Sequence, residues 1–124
     1  MPFVTISATQ SFTHEQKKAL VQKTSDTVVE TLGSAIASVR VMLHELPGGH
    51  YMAAGQWDTP AINFRVDLIS GRTEQQRAAL IAALSKAAHD TTGISEDDVR
   101  IWMIEMSSTN VGIAGGKTAA SIGR

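Results

Sequence analysis

The 124-residue chain has no cysteine. That removes disulfide staples, thiolate nucleophiles and thiolate-held metals at once, and it fits a reducing, cytoplasmic location. It also has little net charge: 11 basic residues against 12 acidic ones give −1, so there is no extended field to attract nucleic acid or an anionic membrane. No apolar run approaches the roughly 20 residues that span a bilayer. No basic segment followed by an apolar core opens the chain, so no secretory leader is read there. The four histidines, His14, His44, His50 and His89, have no pair at metal-ligand spacing, so neither a metal nor another cofactor is expected. Proline is scarce as well, with three residues, and one of them directly follows Met1.

That position gives Pro2 a possible chemistry. If Met1 is removed, the Pro2 nitrogen becomes a secondary amine at the head of an apolar stretch, Phe3-Val4-Thr5-Ile6. A proline elsewhere in a chain is a tertiary amide with no basic lone pair. An α-amino group titrates at about 7.7–8.0, and burial or a nearby cation lowers that value. A general base works best with a pKa near the operating pH. A proline in second position is also a common, inert feature, so Pro2 gains weight only from what surrounds it.

The chain repeats itself at an offset of 60. Thr13 matches Thr73, Gln16 matches Gln76, Ala19-Leu20 matches Ala79-Leu80, Ser25 matches Ser85 and Gly33 matches Gly93. Val39-Arg40 matches Val99-Arg100, Glu45 matches Glu105, and Ala54-Gly55 matches Ala114-Gly115. One gapless register across several elements reads as a tandem duplication. We divide the single domain, residues 1–124, into a first repeat, 2–59, and a second, 60–124.

Each repeat reads strand, helix, strand. Ile62, Phe64, Val66 and Leu68 alternate with Asn63, Arg65 and Asp67, which is strand periodicity; Phe3 to Ala8 is a weaker version. Thr13 with Gln16, and Thr73 with Gln76, are capping boxes that start helices. Behind them Leu20, Val21, Thr24 and Val28, then Leu80, Ile81, Leu84 and Ala88, recur at helical spacing. Gly33 and Gly93 suit the helix ends. Val39–Leu46 and Val99–Met106 are nearly continuous in apolar character and predict strands buried on both faces. The fold class is α+β: two right-handed β-α-β units sharing a four-stranded sheet, both helices on one face. The other face is then apolar and uncovered, which predicts a homo-oligomer. Gln56 to Pro60 is the expected linker. Glycine-bearing hairpin segments, Pro47–Gly55 and Ser107–Gly116, close the units. With aromatics at 5% of the chain, Trp57 and Trp102 stand out as packing or subunit-contact residues.

These features together resemble the tautomerase superfamily and, within it, the fused 4-oxalocrotonate tautomerases. The residues that carry the likeness are Pro2, Ser38-Val39-Arg40-Val41, Gly48-Gly49-His50-Tyr51, Ser70-Gly71-Arg72-Thr73 and Gly112-Ile113-Ala114-Gly115-Gly116, in doubled order over essentially the whole chain. The resemblance implies a homotrimer with pseudo-sixfold packing and an isomerase that needs no cofactor. In it an amino-terminal proline moves a proton between the enol and keto forms of a small carboxylate substrate. It makes Pro2 the base, Arg40 and Arg72 the cations that hold substrate and developing charge, and Tyr51 an aromatic wall. The second unit has Ile62 where the first has Pro2, so only one of the two equivalent sites has an amine. The first unit has Phe12 where the second has Arg72, and Val111 stands where the first has Tyr51. Arg72 is thus expected to serve Pro2 across the pseudo-twofold axis. Arg40, with Arg100 left open, is expected to reach the site from a neighbouring chain. Arginine suits the task because its planar fork pairs with a carboxylate through two hydrogen bonds and keeps its charge.

Other readings stay in view. Relatives that hydrate or dehalogenate haloacrylates use a carboxylate to activate water, but Met52-Ala53-Ala54 follows Tyr51 here. A decarboxylase would want an acidic partner, and Ser38 is not one. An interaction protein with the same fold and an idle amine is the alternative outside enzymology.

Overall fold

The computed structural model describes residues 1–124. Strand β1 (Phe3–Ala8) leads to helix α1 (His14–Leu32) and strand β2 (Arg40–Glu45). A small hairpin follows, β3 (Met52–Ala53) and β4 (Gln56–Trp57). The pattern then repeats as β5 (Ile62–Ile69), α2 (Glu74–Thr92) and β6 (Val99–Met106), closed by a second hairpin, β7 (Gly112–Ile113) and β8 (Lys117–Thr118). One sheet runs β2-β1-β5-β6. The outer pairs are parallel, with Phe3 opposite Arg40 and Ile62 opposite Val99. The central pair is antiparallel, with Val4 opposite Val66 and Ile6 opposite Phe64. The two units therefore meet head to tail about a pseudo-twofold axis between β1 and β5.

Local sequence explains the helix limits. Thr13 and Thr73 are extended and cap the Gln16 and Gln76 amides at 3.1 Å, and each glutamine accepts from the cap residue's amide at 2.9 Å. The helices stop at Gly33 and Gly93, which take φ values of 66° and 77° that a Cβ disfavours. Alternation then builds the core. Val4, Ile6 and Ala8 of β1 and Ile62, Phe64, Val66 and Leu68 of β5 are buried on the helix side of the sheet, against Leu20, Val28, Leu80, Leu84 and Ala88. Buried Thr24 donates its hydroxyl to the Leu20 carbonyl at 2.7 Å, so it leaves no unmet polar atom.

Four expectations need correction. Strands β2 and β6 are the edges of the sheet, so within one chain they are not buried on both faces: Arg40, Met42 and His44 of β2 are exposed, and so is Trp102 of β6. Second, the face of the sheet away from the helices is mixed rather than apolar, because Arg65 and Asp67 sit on it as an ion pair at 3.2 Å. Third, Gln56 and Trp57 belong to β4, which leaves 58–61 as the connection between units. Fourth, Ile81 is exposed (39%), because the buried stripe of α2 follows Leu80, Leu84 and Ala88 instead.

The two hairpins also differ by one residue. Ala53 pairs with Gln56 across a two-residue turn, whereas Ile113 pairs with Lys117 across three. The extra residue is Gly116, at φ 70°. It shifts Lys117 by one place relative to the first unit.

Candidate functional site

The sheet order decides what surrounds the start of the chain. β1 begins beside the start of its parallel neighbour β2 and beside the end of its antiparallel neighbour β5. β5 and β6 run parallel, so β6 ends at the same edge, and the β7–β8 hairpin that follows it is delivered to Pro2. The result is a cleft of about 610 Å³ around Met1 and Pro2. Pro2 is fully buried at its floor. Phe3, Val111, Ile113 and Ile122 supply apolar wall, and Arg40, Lys117 and Arg124 supply three cations. No carboxylate side chain and no histidine lines it. A somewhat larger concavity, about 740 Å³, runs along α1 and β2 between His14, Lys17 and Leu43, away from Pro2. We place the candidate site in the smaller cleft because the amino-terminal end of the chain meets cations and apolar wall there.

The predicted residues are distributed unevenly. Arg40 of the same chain lines the cleft, because the parallel register puts it next to Pro2: its amide donates to the Pro2 carbonyl at 3.1 Å. Its Nη1 donates to the carbonyls of Ala37 and Val39 at 2.7 and 3.1 Å, which holds the guanidinium in place. Within one chain, then, Arg40 needs no neighbour to reach Pro2. Arg72 precedes α2 at the same end of the molecule and contacts Ser34 at 3.4 Å, beyond the end of α1. It stands outside the cleft wall but close enough for its charge to act on the α-amino group. Tyr51 precedes the first hairpin, which lies at the opposite end of β1, and the single chain does not bring it to Pro2. Arg100 is also at that far end, opposite Asn63, with Nη1 donating to Asp97 and Val99. The mirror position of Pro2 is Ile62, fully buried, and Phe12, the mirror of Arg72, packs against the core.

The electrostatics follow from this crowding. The α-amino group of Met1, next to Pro2, is held below its ordinary value of 8.0, first by burial and then by the charges of Arg124, Arg40 and Arg72. Both effects disfavour the ammonium form. Sequence reasoning missed Lys117 and Arg124. Neither belongs to a repeated position or a motif, and only the strand order, which returns the end of β6 to the start of β1, points to them. Elsewhere no three histidine, aspartate or glutamate side chains converge, and no helix is long and apolar enough to cross a membrane.

Comparison with known proteins agrees with this architecture. A family profile described as "Tautomerase enzyme" matches residues 2–57 and again 62–120, one match for each unit. The 2-hydroxymuconate tautomerase of Pseudomonas putida is 40% identical over 60 residues, which is 48% of this chain and 94% of that protein. Among solved structures, Pt0534 inactivated by 2-oxo-3-pentynoate is 56% identical, with a TM-score of 0.95 over 98% of this chain and 99% of that one. A fused 4-OT solved as a symmetric trimer is 35% identical, with a TM-score of 0.94 over the same shares.

Proposed function

The chain belongs to the tautomerase family, and from that premise we propose that it is a cofactor-independent tautomerase of small enol acids, 2-hydroxydienoates or enolpyruvates, with the Pro2 nitrogen as its general base. The observation that carries this reading is the cleft itself. A buried Pro2 sits beside three cations, and none of the lining side chains is a carboxylate or an imidazole. Removal of Met1 would turn the Pro2 amide into an amine in the same cationic surroundings. The neutral amine takes the proton of the substrate's enol hydroxyl. The oxygen's electron pair forms the carbonyl, the displaced π pair moves to carbon, and the ammonium returns its proton to that carbon. Arg40 holds the carboxylate next to the enol, and Arg72 adds positive potential as negative charge spreads over the dienolate. Burial and the arginines, which lower the pKa of the Met1 α-amino group, would likewise favour the neutral form of a Pro2 amine, which is the form a base needs.

Three chains would complete the assembly, as in the fused 4-OT trimer. Unpaired edge strands β2 and β6 and the exposed side chains of Trp57 (64%) and Trp102 (49%) supply surface for neighbours. Val111 of the same chain fills the wall position that corresponds to Tyr51, so Tyr51 would contribute to a Pro2 site only from another protomer. A hydratase or dehalogenase that activates water with a carboxylate side chain gains no support, since the cleft wall has no Asp or Glu.

The test combines intact mass with turnover of phenylenolpyruvate and 2-hydroxymuconate on one sample. A chain lacking Met1 should ketonise one or both acids. Inserting a glycine between Met1 and Pro2 keeps the Pro2 nitrogen an amide, and should lower kcat by about 10²–10⁴-fold, the usual worth of a positioned base. Undiminished turnover by the inserted chain overturns the assignment of Pro2. A processed parent chain inert to both acids overturns the enol-acid reading.

A further inference from the structure

Arg72 ends the short loop 70–72 between β5 and α2, and that loop is held at several points. Ser70 ties its start to the end of β6: the Ser70 amide and hydroxyl both donate to the Met106 carbonyl, at 2.8 and 3.1 Å. Gly71 follows at φ 135°, a conformation that a Cβ disfavours. Arg77, in the first turn of α2, reaches back. Its Nη1 donates to the Arg72 carbonyl at 2.6 Å and lies 3.2 Å from the Glu105 carboxylate of β6. The guanidinium of Arg72 meets the Ser34 hydroxyl at 3.4 Å. The backbone and the head group of Arg72 are thus held by different residues, and neither Arg77 nor Ser34 lines the Pro2 cleft.

The internal repeat separates what is general in this arrangement from what is local. The ion pair is general: Lys17 and Glu45 stand at the places of Arg77 and Glu105, and they also pair. The residues that hold Arg72 are local. Ile94 stands at the place of Ser34, Ser11 at that of Gly71 and Phe12 at that of Arg72 itself. Ile94 and Phe12 both belong to the apolar core. The hydrogen bond of Lys17 goes to Glu45, and none joins it to the Phe12 carbonyl. A helix-to-strand ion pair therefore needs no arginine here. What arginine adds is a planar head with several donors, which meets the Glu105 carboxylate and the Arg72 carbonyl together. A hydrogen bond from a charged donor is about twice as strong as a neutral one.

We propose that Arg77, seconded by Ser34, is a positioning residue for Arg72, fixing its charge in place before a substrate enters the Pro2 cleft. The proposal rests on the enol-acid reading of that cleft, in which Arg72 stabilises the dienolate. A cation already held in place needs no reorganisation at the moment of reaction. The effect falls on kcat and not on KM, because Arg40, which holds the carboxylate, has its own backbone anchors.

The test is Arg77→Lys in the intact oligomer, since Lys17 pairs with its glutamate from the equivalent place. With phenylenolpyruvate or 2-hydroxymuconate, whichever the parent ketonises, kcat should fall about tenfold, the worth of one hydrogen bond from a charged group. KM should stay within about twofold of the parent. Placed on Arg72→Ala, the same substitution should lower kcat no further. NMR relaxation of the Arg72 guanidinium should report a more mobile side chain in Arg77→Lys than in the parent, and this readout needs no turnover. Ser34→Ala should act in the same way to a smaller extent, and it serves if Arg77→Lys does not fold. An unchanged kcat, a loss that persists in full on Arg72→Ala, or an Arg72 side chain as ordered as the parent's overturns the proposal. A processed parent that ketonises neither acid overturns the tautomerase reading instead, and the relaxation alone then decides whether Arg77 holds Arg72.

Discussion

The duplication provides an internal control, and the two capping glutamines make use of it. Gln16 and Gln76 occupy equivalent places in α1 and α2, and each accepts from its cap residue's amide at 2.9 Å. Gln16 does one thing more: its Nε2 donates at 3.2 Å to the carbonyl of Thr92, the last residue of α2. Gln76 has no such partner, and at its end of the helix pair Arg72 meets Ser34 instead. Replacing either glutamine with alanine changes helix propensity equally and frees one cap amide equally. Those costs, about 0.5–1 kcal/mol by analogy with lost caps, cancel in the comparison. What remains is one hydrogen bond between helices, worth about 1 kcal/mol net. Gln16→Ala should therefore destabilise by about 1 kcal/mol more than Gln76→Ala. With a urea slope of about 2 kcal/mol per molar, their midpoints should differ by roughly 0.5 M at equal slope. Both must be measured at one protomer concentration, because subunit association adds to apparent stability. Equal midpoints, or a less stable Gln76→Ala, would refute the idea that the two helix seams differ.

Two further outcomes follow from the site and the core. The acid limb of the kcat/KM–pH profile should fall with a lower pKa than the amine of a free peptide of residues 2–6, because the burial and, second, the arginines that lower the Met1 α-amino group also surround the neighbouring Pro2 nitrogen. The rate should rise as pH climbs through that pKa and level off above it; added salt should move the limb upward only in part, since it screens the arginines and not the burial. An acid limb at or above the peptide's value would contradict this. Phe64, the largest fully buried side chain, should cost about 3–5 kcal/mol when cut to alanine; urea unfolding of Phe64→Ala within 1 kcal/mol of the parent would mean that the core closes over the gap.

Much of the fold was legible because local and long-range signals agreed. The Thr13–Gln16 and Thr73–Gln76 boxes, the glycines at the helix ends and the alternation of Ile62 to Leu68 each report a local preference that packing reinforces. What failed was burial in β2 and β6. An apolar run says that a strand is covered, but not whether its own chain or a neighbour covers it. The site was legible only in part for a related reason. Pro2, Arg40 and Arg72 come together in space because β1, β2 and the start of α2 share one end of the molecule. Tyr51 sits at the other end of β1, and no periodicity reveals which end a hairpin will occupy. Lys117 and Arg124 follow the stretch that was read for its glycines, Ser107–Gly116, and their place in the cleft comes from the antiparallel pairing of β1 with β5, far from them in sequence.

The antiparallel pairing of β1 with β5 inside one chain has an evolutionary consequence. In a dimer of identical units every substitution appears twice, so a change that helps one pocket is forced upon the other. Joining the units by residues 58–61 removes that obligation, and each end can drift alone. Phe12 against Arg72, Ile62 against Pro2 and Ile94 against Ser34 are the marks of that independence. The end without an amine is then free sequence space in a molecule whose other end is under constraint. A second, unrelated binding surface could be written there by mutation or by design while the surroundings of Pro2 stay unchanged.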